Sequence, residues 1–335
     1  MSRMLSPQEK QHIITMKKQG ETHVQEQSYE KAVHCFLQLV EYHPTSTKIY
    51  LIIGFCYQQM GLIIQSLIYY LKAKDLSPHS KKVKKRLDGI SEILGPVSYF
   101  ITQVLDFTWL EHAEDKQLLQ IQNKLYDYRN NTSVDILQRL TNIIKIVPGY
   151  GTIKQFLFFN AIISIFKPKK ILLIGVYRGR DSSFILDAAR AYDIEIDFTG
   201  VDKFSDDFCE DWPEEDKSKN WEDAGFGVAP NIDETRRHLL CVGFSDVNLV
   251  KMHDATFMAQ DNNIYDFIYI DTSHDYETVQ RQIRQVKRLC HDNTIVSGDD
   301  YSDNGTWGVP KAVRDETKEH GLFLNWIWYT LGKNL

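Results

Sequence analysis

The chain has 335 residues, of which 43% are hydrophobic and 25% are charged, and its formal net charge is -6 at pH 7. This length corresponds to about one to three domains, and the hydrophobic content is ordinary for a soluble globular protein. The negative charge argues against a dedicated nucleic-acid binder, which would usually carry a basic surface.

The sequence also carries no sign of export or of membrane insertion. The cysteines are far apart and form no C-x-x-C pair, which argues against a disulfide framework and a zinc–thiolate site. The N-terminal residues contain no apolar signal core, and the apolar run 156–166 is too short to span a bilayer, so it is predicted to be a buried helix. We therefore expect a cytoplasmic protein. The cysteines are Cys35, Cys56, Cys209, Cys241 and Cys290.

The first part of the chain contains an internal repeat. In each copy, a small residue allows two helices to pack closely, an aromatic ring fills the gap between them, and a proline ends the second helix. The pattern covers residues 10–80 and is similar to the tetratricopeptide repeat, which has this period. An unrelated antiparallel helix bundle is the alternative. The pairs that recur 34 residues apart are Gly20 and Gly54, Phe36 and Tyr70, and Pro44 and Pro78.

Two repeats are fewer than the three or so that usually form a stable array, so residues 81–95 are predicted to add a capping helix. The apolar positions of residues 97–146 recur at helical spacing, which predicts further helices there. The predicted organisation is therefore a tetratricopeptide-like domain over residues 1–95, a helical connecting segment over 96–149, and a third domain over 150–335.

Strand-like and helix-like runs alternate in this third domain. The alternation predicts a mostly parallel sheet with helices on both of its faces. The predicted strands are 170–175, 194–201, 247–252, 267–270, 294–297 and a last strand, 322–329. The predicted helices include 152–166, 181–191, 232–242 and 276–290.

A glycine turn follows the first of these strands. Gly175 and Gly179 are separated by three residues and would let the backbone approach a ligand closely. The turn lacks the three-glycine fingerprint that accommodates a pyrophosphate, which favours a cofactor without one. A tight strand-to-helix connection with no ligand remains an alternative interpretation. Tyr177 and Ser182 lie in the same stretch and are further candidates for cofactor contact.

Acidic residues follow the next two strands. Asp202 ends the second predicted strand, where an acidic residue commonly accepts hydrogen bonds from ribose hydroxyls. Asp254 follows the third strand and could lie beside an adenine ring, although a helix cap is the simpler interpretation.

Two acidic motifs mark the ends of the following strands. Asp271 and His274 follow the run 267–270, and Asp299 and Asp300 follow the run 294–297. Ligands bind at the carboxyl ends of the strands in an open α/β sheet. Three carboxylates gathered there would repel one another unless a cation offsets their charge, and a hard divalent metal with oxygen ligands would do so. The motifs therefore predict a metal site, with Mg²⁺ as the first choice, although each aspartate alone could be a turn or cap residue.

Together, these motifs resemble the class I S-adenosylmethionine-dependent methyltransferases over residues 150–335. The later motifs are most similar to metal-dependent O-methyltransferases of the macrolide-sugar and macrocin type. The resemblance implies a Rossmann-like domain with a mostly parallel, seven-stranded sheet. Many class I enzymes carry an acidic residue where this chain has Leu173, and Asp181 or Ser182 could make that cofactor contact instead. The cofactor-binding residues implied are Gly175, Tyr177, Gly179, Ser182, Asp202 and Asp254, and the implied metal ligands are Asp271, Asp299 and Asp300.

The resemblance also places a catalytic histidine at the spacing of His274 from Asp271. A divalent cation lowers the pKa of a bound hydroxyl, and a nearby base then removes its proton. His274 suits that task because its ordinary pKa is near neutral; a metal ligand or a helix-cap neighbour is the alternative, and Asp271 is the next candidate base. The insertion 204–230, with Trp212 and Trp221, is interpreted as a lid over the substrate or as a surface excursion.

The sequence thus predicts an S-adenosylmethionine-dependent, Mg²⁺-dependent O-methyltransferase that acts on a hydroxyl of a sugar or small natural product. Its helical repeats are expected to bind a protein partner or to form a homo-oligomer surface. Two alternatives stay open: an interaction protein whose methyltransferase domain is inactive, and a nicotinamide-dependent oxidoreductase. No nucleic acid or membrane partner is expected.

Overall fold

The computed structural model describes residues 6–94, 115–205, 221, 228–302 and 307–335. The chain divides into two compact units that are interleaved along the sequence. The first, here the helical unit, comprises Met1–Leu105 and Tyr128–Arg139. The second, here the sheet unit, comprises Asp106–Asp127 and Leu140–Leu335. None of the described helices combines the length and apolarity needed to span a bilayer.

The helical unit repeats its backbone geometry along the chain. Its first five described helices are α1 (Pro7–Gln25), α2 (Tyr29–Tyr42), α3 (Thr47–Gln59), α4 (Ile63–Leu76) and α5 (Lys81–Leu94). The ends of α1 and α3, and of α2 and α4, are each 34 residues apart, as the numbers 25 and 59, and 42 and 76, show. Left-handed residues end the first helix of each pair, at Gln27 (φ 58°) and Gly61 (φ 77°). The predicted helix over 81–95 is present as α5.

Each helix pair packs through the predicted small and aromatic residues. A Cβ atom at Gly20 would lie 2.9 Å from the Phe36 ring, and one at Gly54 would lie 2.5 Å from the Tyr70 ring. Both rings are buried, at 1% and 0% exposure. The glycines are therefore required by the close approach of the paired helices. The helical repeat is present in the structure, and its membership of the tetratricopeptide family stays a prediction.

Three further helices precede the sheet: α6 (Lys116–Asn130), α7 (Val134–Ile146) and α8 (Ile153–Phe166). The predicted connecting segment is therefore helical where it is described, and residues 95–114 lie outside the described part. Helix α8 begins with a capping box, in which Thr152 and Gln155 hydrogen-bond to one another's backbone. Its buried residues run from Ile153 to Ile163, in agreement with the predicted buried helix.

The sheet unit contains a seven-stranded sheet in the order β3-β2-β1-β4-β5-β7-β6. Strands β1 to β5 pair in parallel, and β7 runs antiparallel to both β5 and β6. The predicted mostly parallel, seven-stranded fold is confirmed. The strands are β1 (Lys170–Ile174), β2 (Asp197–Asp202), β3 (Asn248–Lys251), β4 (Tyr265–Ile270), β5 (Cys290–Gly298), β6 (Gly321–Phe323) and β7 (Ile327–Leu331). The helices between them are α9 (Arg180–Ala191), α10 (Ile232–Cys241), α11 (Asp254–Gln260), α12 (Tyr276–Val286) and α13 (Val309–Glu316).

Helices cover both faces of this sheet, as the central strand β4 shows. Phe267 and Tyr269 lie against Phe158 of α8, at ring-centroid distances of 6.2 and 6.1 Å. The alternate residues Ile268 and Ile270 belong to the opposite core cluster, which contains residues of α12 and α13. Because successive side chains of a strand point to opposite faces, a strand buried on both sides is apolar throughout.

Two predicted elements differ from the structure. The single last strand 322–329 is wrong, because β6 and β7 form a hairpin around Leu324 (φ 54°) and Asn325 (φ 51°), whose left-handed backbone reverses the chain. The predicted helix 276–290 is too long, since α12 ends at Val286 and β5 already begins at Cys290.

Candidate active site

The acidic motifs meet where β4 and β5 end. The two strands pair in parallel so that Ile270 lies opposite Gly298, which brings the following Asp271 and Asp299 side by side. The backbone continues this register, because the Asp271 N–H donates to the Ile174 carbonyl at 2.8 Å and the Asp299 N–H donates to the Ile270 carbonyl at 3.2 Å. Asp300 has a left-handed backbone (φ 59°), which turns the chain immediately after the strand.

The structure brings the three predicted metal ligands together. One carboxylate oxygen from each of Asp271, Asp299 and Asp300 lies within 4.8 Å of the others. Burial raises the pKa of Asp271 and Asp299 well above the ordinary value, and the neighbouring carboxylates raise it further. A group of acids at this separation is costly without a compensating cation or bound proton. All-oxygen ligands are those that Mg²⁺ and similar hard cations prefer.

Each of the three carboxylates also has one partner that holds it. Gln155 donates from Nε2 to Oδ2 of Asp299 at 2.6 Å. His274 Nε2 lies 2.7 Å from Oδ2 of Asp300. Asp181, from the first turn of α9, shares a hydrogen bond with Asp271, and burial is the main cause that raises the pKa of Asp181. The cluster is therefore a built arrangement in which neighbouring elements fix the aspartates.

Several buried polar atoms face this cluster without a hydrogen-bond partner among the described residues. They include Oδ1 of Asp299 and the hydroxyl of Tyr269. Burial raises the pKa of the Tyr269 phenol well above its ordinary value, and the nearby aspartates raise it further, so this hydroxyl stays protonated and can donate. Unpartnered polar atoms in a buried position are costly, which makes this the expected place for a ligand.

His274 lies beside the acidic cluster under an aromatic ring. The Trp307 ring stacks on it, with centroids 4.6 Å apart and an interplanar angle of 17°. The carbonyl of His274 accepts a hydrogen bond from the Gly308 N–H at 2.7 Å, which ties the start of α13 to this segment. The imidazole is thus oriented by Asp300 on its edge and by Trp307 on its face.

The glycine turn lies directly against Asp271. Gly175 (φ 94°) and Gly179 (φ 92°) both have left-handed backbones. A Cβ atom at Gly175 would lie 1.7 Å from the Asp271 carbonyl oxygen, so no side chain fits there. The predicted cofactor turn and the acidic cluster are therefore neighbouring parts of one site.

Asp202 supports the turn from the end of β2. Its Oδ2 accepts hydrogen bonds from the N–H groups of Val176 and Tyr177 at 2.9 and 2.8 Å. Its Oδ1 accepts from the Phe204 N–H at 2.8 Å. Burial raises the pKa of Asp202, while these backbone hydrogen bonds act in the opposite direction. The predicted contact to a ribose stays a prediction, and the structure adds a role in shaping the turn.

The remaining predicted cofactor residues have different surroundings. Ser182 is fully buried, and its hydroxyl has no hydrogen-bond partner among the described residues. Tyr177 stacks between Tyr150 and Trp221, at centroid distances of 5.6 and 5.8 Å. Of the predicted lid, residues 206–220 and 222–227, which include Trp212, lie outside the described part of the chain.

Asp254 is occupied by a network of side chains. It accepts hydrogen bonds from Arg281 at 3.1 Å and from Gln282 at 2.7 Å, and it lies 2.7 Å from Nδ1 of His253. A cofactor would have to compete with these partners for its carboxylate. Asp254 is therefore not brought together with the acidic cluster, and its contact to adenine stays a prediction.

Sequence reasoning missed two residues of this site, Gln155 and Tyr269. Gln155 is 144 positions from Asp299 in the chain, and its only sequence signal is a capping box at a helix start. Tyr269 stands in an apolar strand, where an aromatic residue is ordinary. It missed as well that Asp181, considered only as a cofactor contact, binds Asp271.

Comparison with known proteins supports the domain assignment. Residues 172–301, which contain the glycine turn, Asp202 and the acidic cluster, match the family model described as "Methyltransferase domain". The predicted methyltransferase domain is thereby confirmed for this part of the chain. No curated protein matches the chain significantly.

Solved methyltransferase structures resemble the chain at low identity. The O-methyltransferase NovP is 18% identical with a TM-score of 0.40, and the alignment covers 74% of this chain and 98% of that one. PaMTH1 of Podospora anserina, a methyltransferase solved with bound SAH, is 11% identical with a TM-score of 0.41, covering 67% and 98%. CalS11, a TDP-rhamnose 3'-O-methyltransferase of calicheamicin biosynthesis, is 15% identical with a TM-score of 0.38, covering 67% and 97%. These likenesses assign no activity to the chain.

Proposed function

We propose that this protein is an S-adenosylmethionine-dependent O-methyltransferase that uses a divalent cation, with Mg²⁺ as the first choice, and methylates a hydroxyl of a sugar or small natural product. One observation carries the proposal: the carboxylate cluster lies directly against the glycine turn of a methyltransferase domain. A cation and a cofactor bound at these two places would be neighbours.

The residues present fit both groups. At the turn, the absence of a side chain at Gly175 leaves backbone exposed to a ligand, as close approach to a cofactor requires. At the cluster, three carboxylates offer hard oxygen ligands, and the unpartnered Oδ1 of Asp299 is available to one. Asp271, Asp299 and Asp300 would hold the cation, and Gly175, Tyr177, Gly179, Ser182 and Asp202 surround the proposed cofactor site.

The chemistry follows from the arrangement of the side chains. A divalent cation lowers the pKa of a bound hydroxyl and fixes its orientation. His274 is proposed to take the hydroxyl proton. With its Nε2–H donated to Asp300, Nδ1 is the nitrogen that accepts a proton, since the hydrogen bond on one ring nitrogen fixes the tautomer. Asp271 is the alternative base. The glycine turn and the acidic cluster supply the positioning that an in-line transfer needs.

The helical unit is proposed to bind a protein partner or a second copy of the chain. Its support is the backbone repeat, in which the Ser28 N–H donates to the His23 carbonyl and the Leu62 N–H, 34 residues later, donates to the Tyr57 carbonyl, both at 2.9 Å. Stacked helix pairs of this kind present extended surfaces for binding.

Calorimetry tests the enzyme proposal. S-adenosylmethionine is titrated into wild type, Asp299→Ala and the exposed control Asp292→Ala, with and without MgCl₂, and NADH is titrated into wild type. We expect wild type and the control to bind S-adenosylmethionine and Mg²⁺, and Asp299→Ala to lose Mg²⁺ binding. Formation of S-adenosylhomocysteine with sugar and phenol acceptors then identifies the acceptor class.

The contrary results are equally clear. Folded wild type that binds no S-adenosylmethionine would remove the methyltransferase proposal, and the helical unit would become the main functional element. Binding of NADH in its place would support the oxidoreductase alternative.

A further inference from the structure

Asp299 is held by a side chain whose orientation is fixed from the other end. Gln155 lies in the first turn of α8 and is 2% exposed. Its Oε1 accepts hydrogen bonds from the Thr152 N–H at 2.8 Å and the Thr152 hydroxyl at 2.6 Å. A backbone N–H can only donate, so Oε1 must face Thr152. Nε2 must then face Asp299, where it donates to Oδ2 at 2.6 Å.

This orientation decides which oxygen of Asp299 is available. Oδ2 is occupied by a group that can only donate, whereas Oδ1 has no hydrogen-bond partner among the described residues. The carboxylate therefore cannot rotate without breaking the bond to Gln155. An amide carries no charge, so it orients the carboxylate without competing with a cation for it, unlike a lysine or arginine in the same place.

We infer that Gln155 is a positioning residue that presents Oδ1 of Asp299 to a divalent cation, through a chain of hydrogen bonds that begins at Thr152. This inference rests on the proposed metal site. It makes the start of α8, which precedes every strand of the sheet, part of the metal site. Groups that orient metal ligands in this way commonly change metal affinity by about 10–100-fold when they are removed.

The test measures metal binding directly, without turnover. MnCl₂ is titrated into the full-length chain, and unbound Mn²⁺ is followed by electron paramagnetic resonance. Gln155→Met keeps the length of the side chain and removes the donor to Asp299. We expect its Mn²⁺ dissociation constant to rise by about 10–100-fold.

A control separates this role from a loss of helix stability, because Gln155→Met also removes half of a capping box. Asn231→Ala removes another helix cap of the same unit, since Asn231 accepts from the N–H groups of Asp233 and Glu234. We expect it to lower the melting temperature while leaving the Mn²⁺ dissociation constant within about twofold, a change far smaller than that expected from loss of an orienting group.

A double-mutant cycle shows whether Gln155 acts through Asp299. On an Asp299→Ala background, Gln155→Met should cause no further loss of Mn²⁺ affinity, because the carboxylate that it orients is absent. If Gln155→Met does not fold, Gln155→Asn replaces it. That side chain stays polar but is one methylene shorter, so it cannot bridge Thr152 and Asp299, and we expect the same loss.

The outcomes are distinguishable. If wild type binds Mn²⁺ and both Gln155 variants bind it equally well, the inference is wrong and the proposed function stands. An additional loss from Gln155→Met on the Asp299→Ala background would also overturn it. If wild type binds neither Mn²⁺ nor Mg²⁺, the proposed metal site fails and the inference fails with it.

Discussion

The carbonyl oxygen of Asp271 occupies the space that a side chain at residue 175 would need. A Cβ atom there would lie 1.7 Å from that oxygen, far inside any van der Waals contact. The glycine turn after β1 and the first carboxylate after β4 therefore constrain one another, and a change in one displaces the other.

Gly175→Ala tests this constraint. We expect it to displace Asp271, so that binding of S-adenosylmethionine and of Mg²⁺ are lost together, and the melting temperature to fall. Gly61→Ala is the matched control, because Gly61 also has a positive φ (77°) but a Cβ atom there would meet no other atom within 4 Å. Backbone strain alone should cost the control about 1–2 kcal/mol. Retention of Mg²⁺ binding by Gly175→Ala would contradict the coupling.

Asp299→Asn separates the cost of the acidic cluster from its use. Without metal, we expect this variant to melt at or above the wild-type temperature, because it removes one of several buried, mutually repelling carboxylates. With MgCl₂ at about 100 times its dissociation constant, wild type should gain about 2.7 kcal/mol of stability, and the variant should gain none. Thermal melts with EDTA and with MgCl₂ measure both effects.

Asp292→Asn is the control for this comparison, since Asp292 is exposed near the start of β5. It should follow wild type under both conditions. A metal-free Asp299→Asn protein that melts far below wild type would show that the carboxylate stabilises the fold by itself.

His274→Gln tests the proposed base. Glutamine can still donate a hydrogen bond to Asp300 but cannot take up a proton, so we expect methyl transfer to fall by about 10²–10⁴-fold while cofactor and Mg²⁺ binding remain. The control is His291→Gln, because His291 also lies 3.2 Å from an aspartate, Asp266, but at the opposite end of β5. Single-turnover assays with S-adenosylmethionine measure the rate. Unchanged turnover in His274→Gln would shift the role of base to Asp271.

Gly54→Ala tests the packing of the helical unit. Alanine normally stabilises a helix interior by up to about 1 kcal/mol relative to glycine. Here the new methyl would lie 2.5 Å from the buried Tyr70 ring, and overpacking of this kind costs about 1–3 kcal/mol. We therefore expect a net loss of stability in urea unfolding. Gly89→Ala, in α5 with no atom near its Cβ position, should instead stabilise the protein.

The sequence predicted those parts of the structure that follow from local pattern. Alternating apolar runs identified the parallel strands, and a fixed period identified Gly20 and Gly54 as helix contacts. Asp271 and Asp299 could be placed together because the carboxyl ends of parallel strands share one edge of the sheet. In each case a short stretch of residues carries the whole signal.

The missed features depend on contacts between distant residues or on uncommon backbone conformations. Gln155 meets Asp299 only after the sheet has formed, so neither neighbourhood announces the pair. The hairpin at Leu324 and Asn325 was missed because non-glycine residues adopt a left-handed backbone there, and apolar residues on both sides gave no turn signal. Asp202 was assigned to a ligand, whereas its carboxylate is engaged by N–H groups of its own chain.

The interleaved order of the two units bears on how the protein can be dissected and synthesised. The sheet unit includes Asp106–Asp127, where the Tyr126 hydroxyl donates to the Leu322 carbonyl at 3.4 Å and Asp115 pairs with Lys333 at 2.8 Å. No single proteolytic cut releases either unit whole, and a fragment that starts at residue 150 would expose the surface that this helix covers. On the ribosome, the segment 106–127 emerges long before its partners, so it must wait for the last residues of the chain to complete its packing.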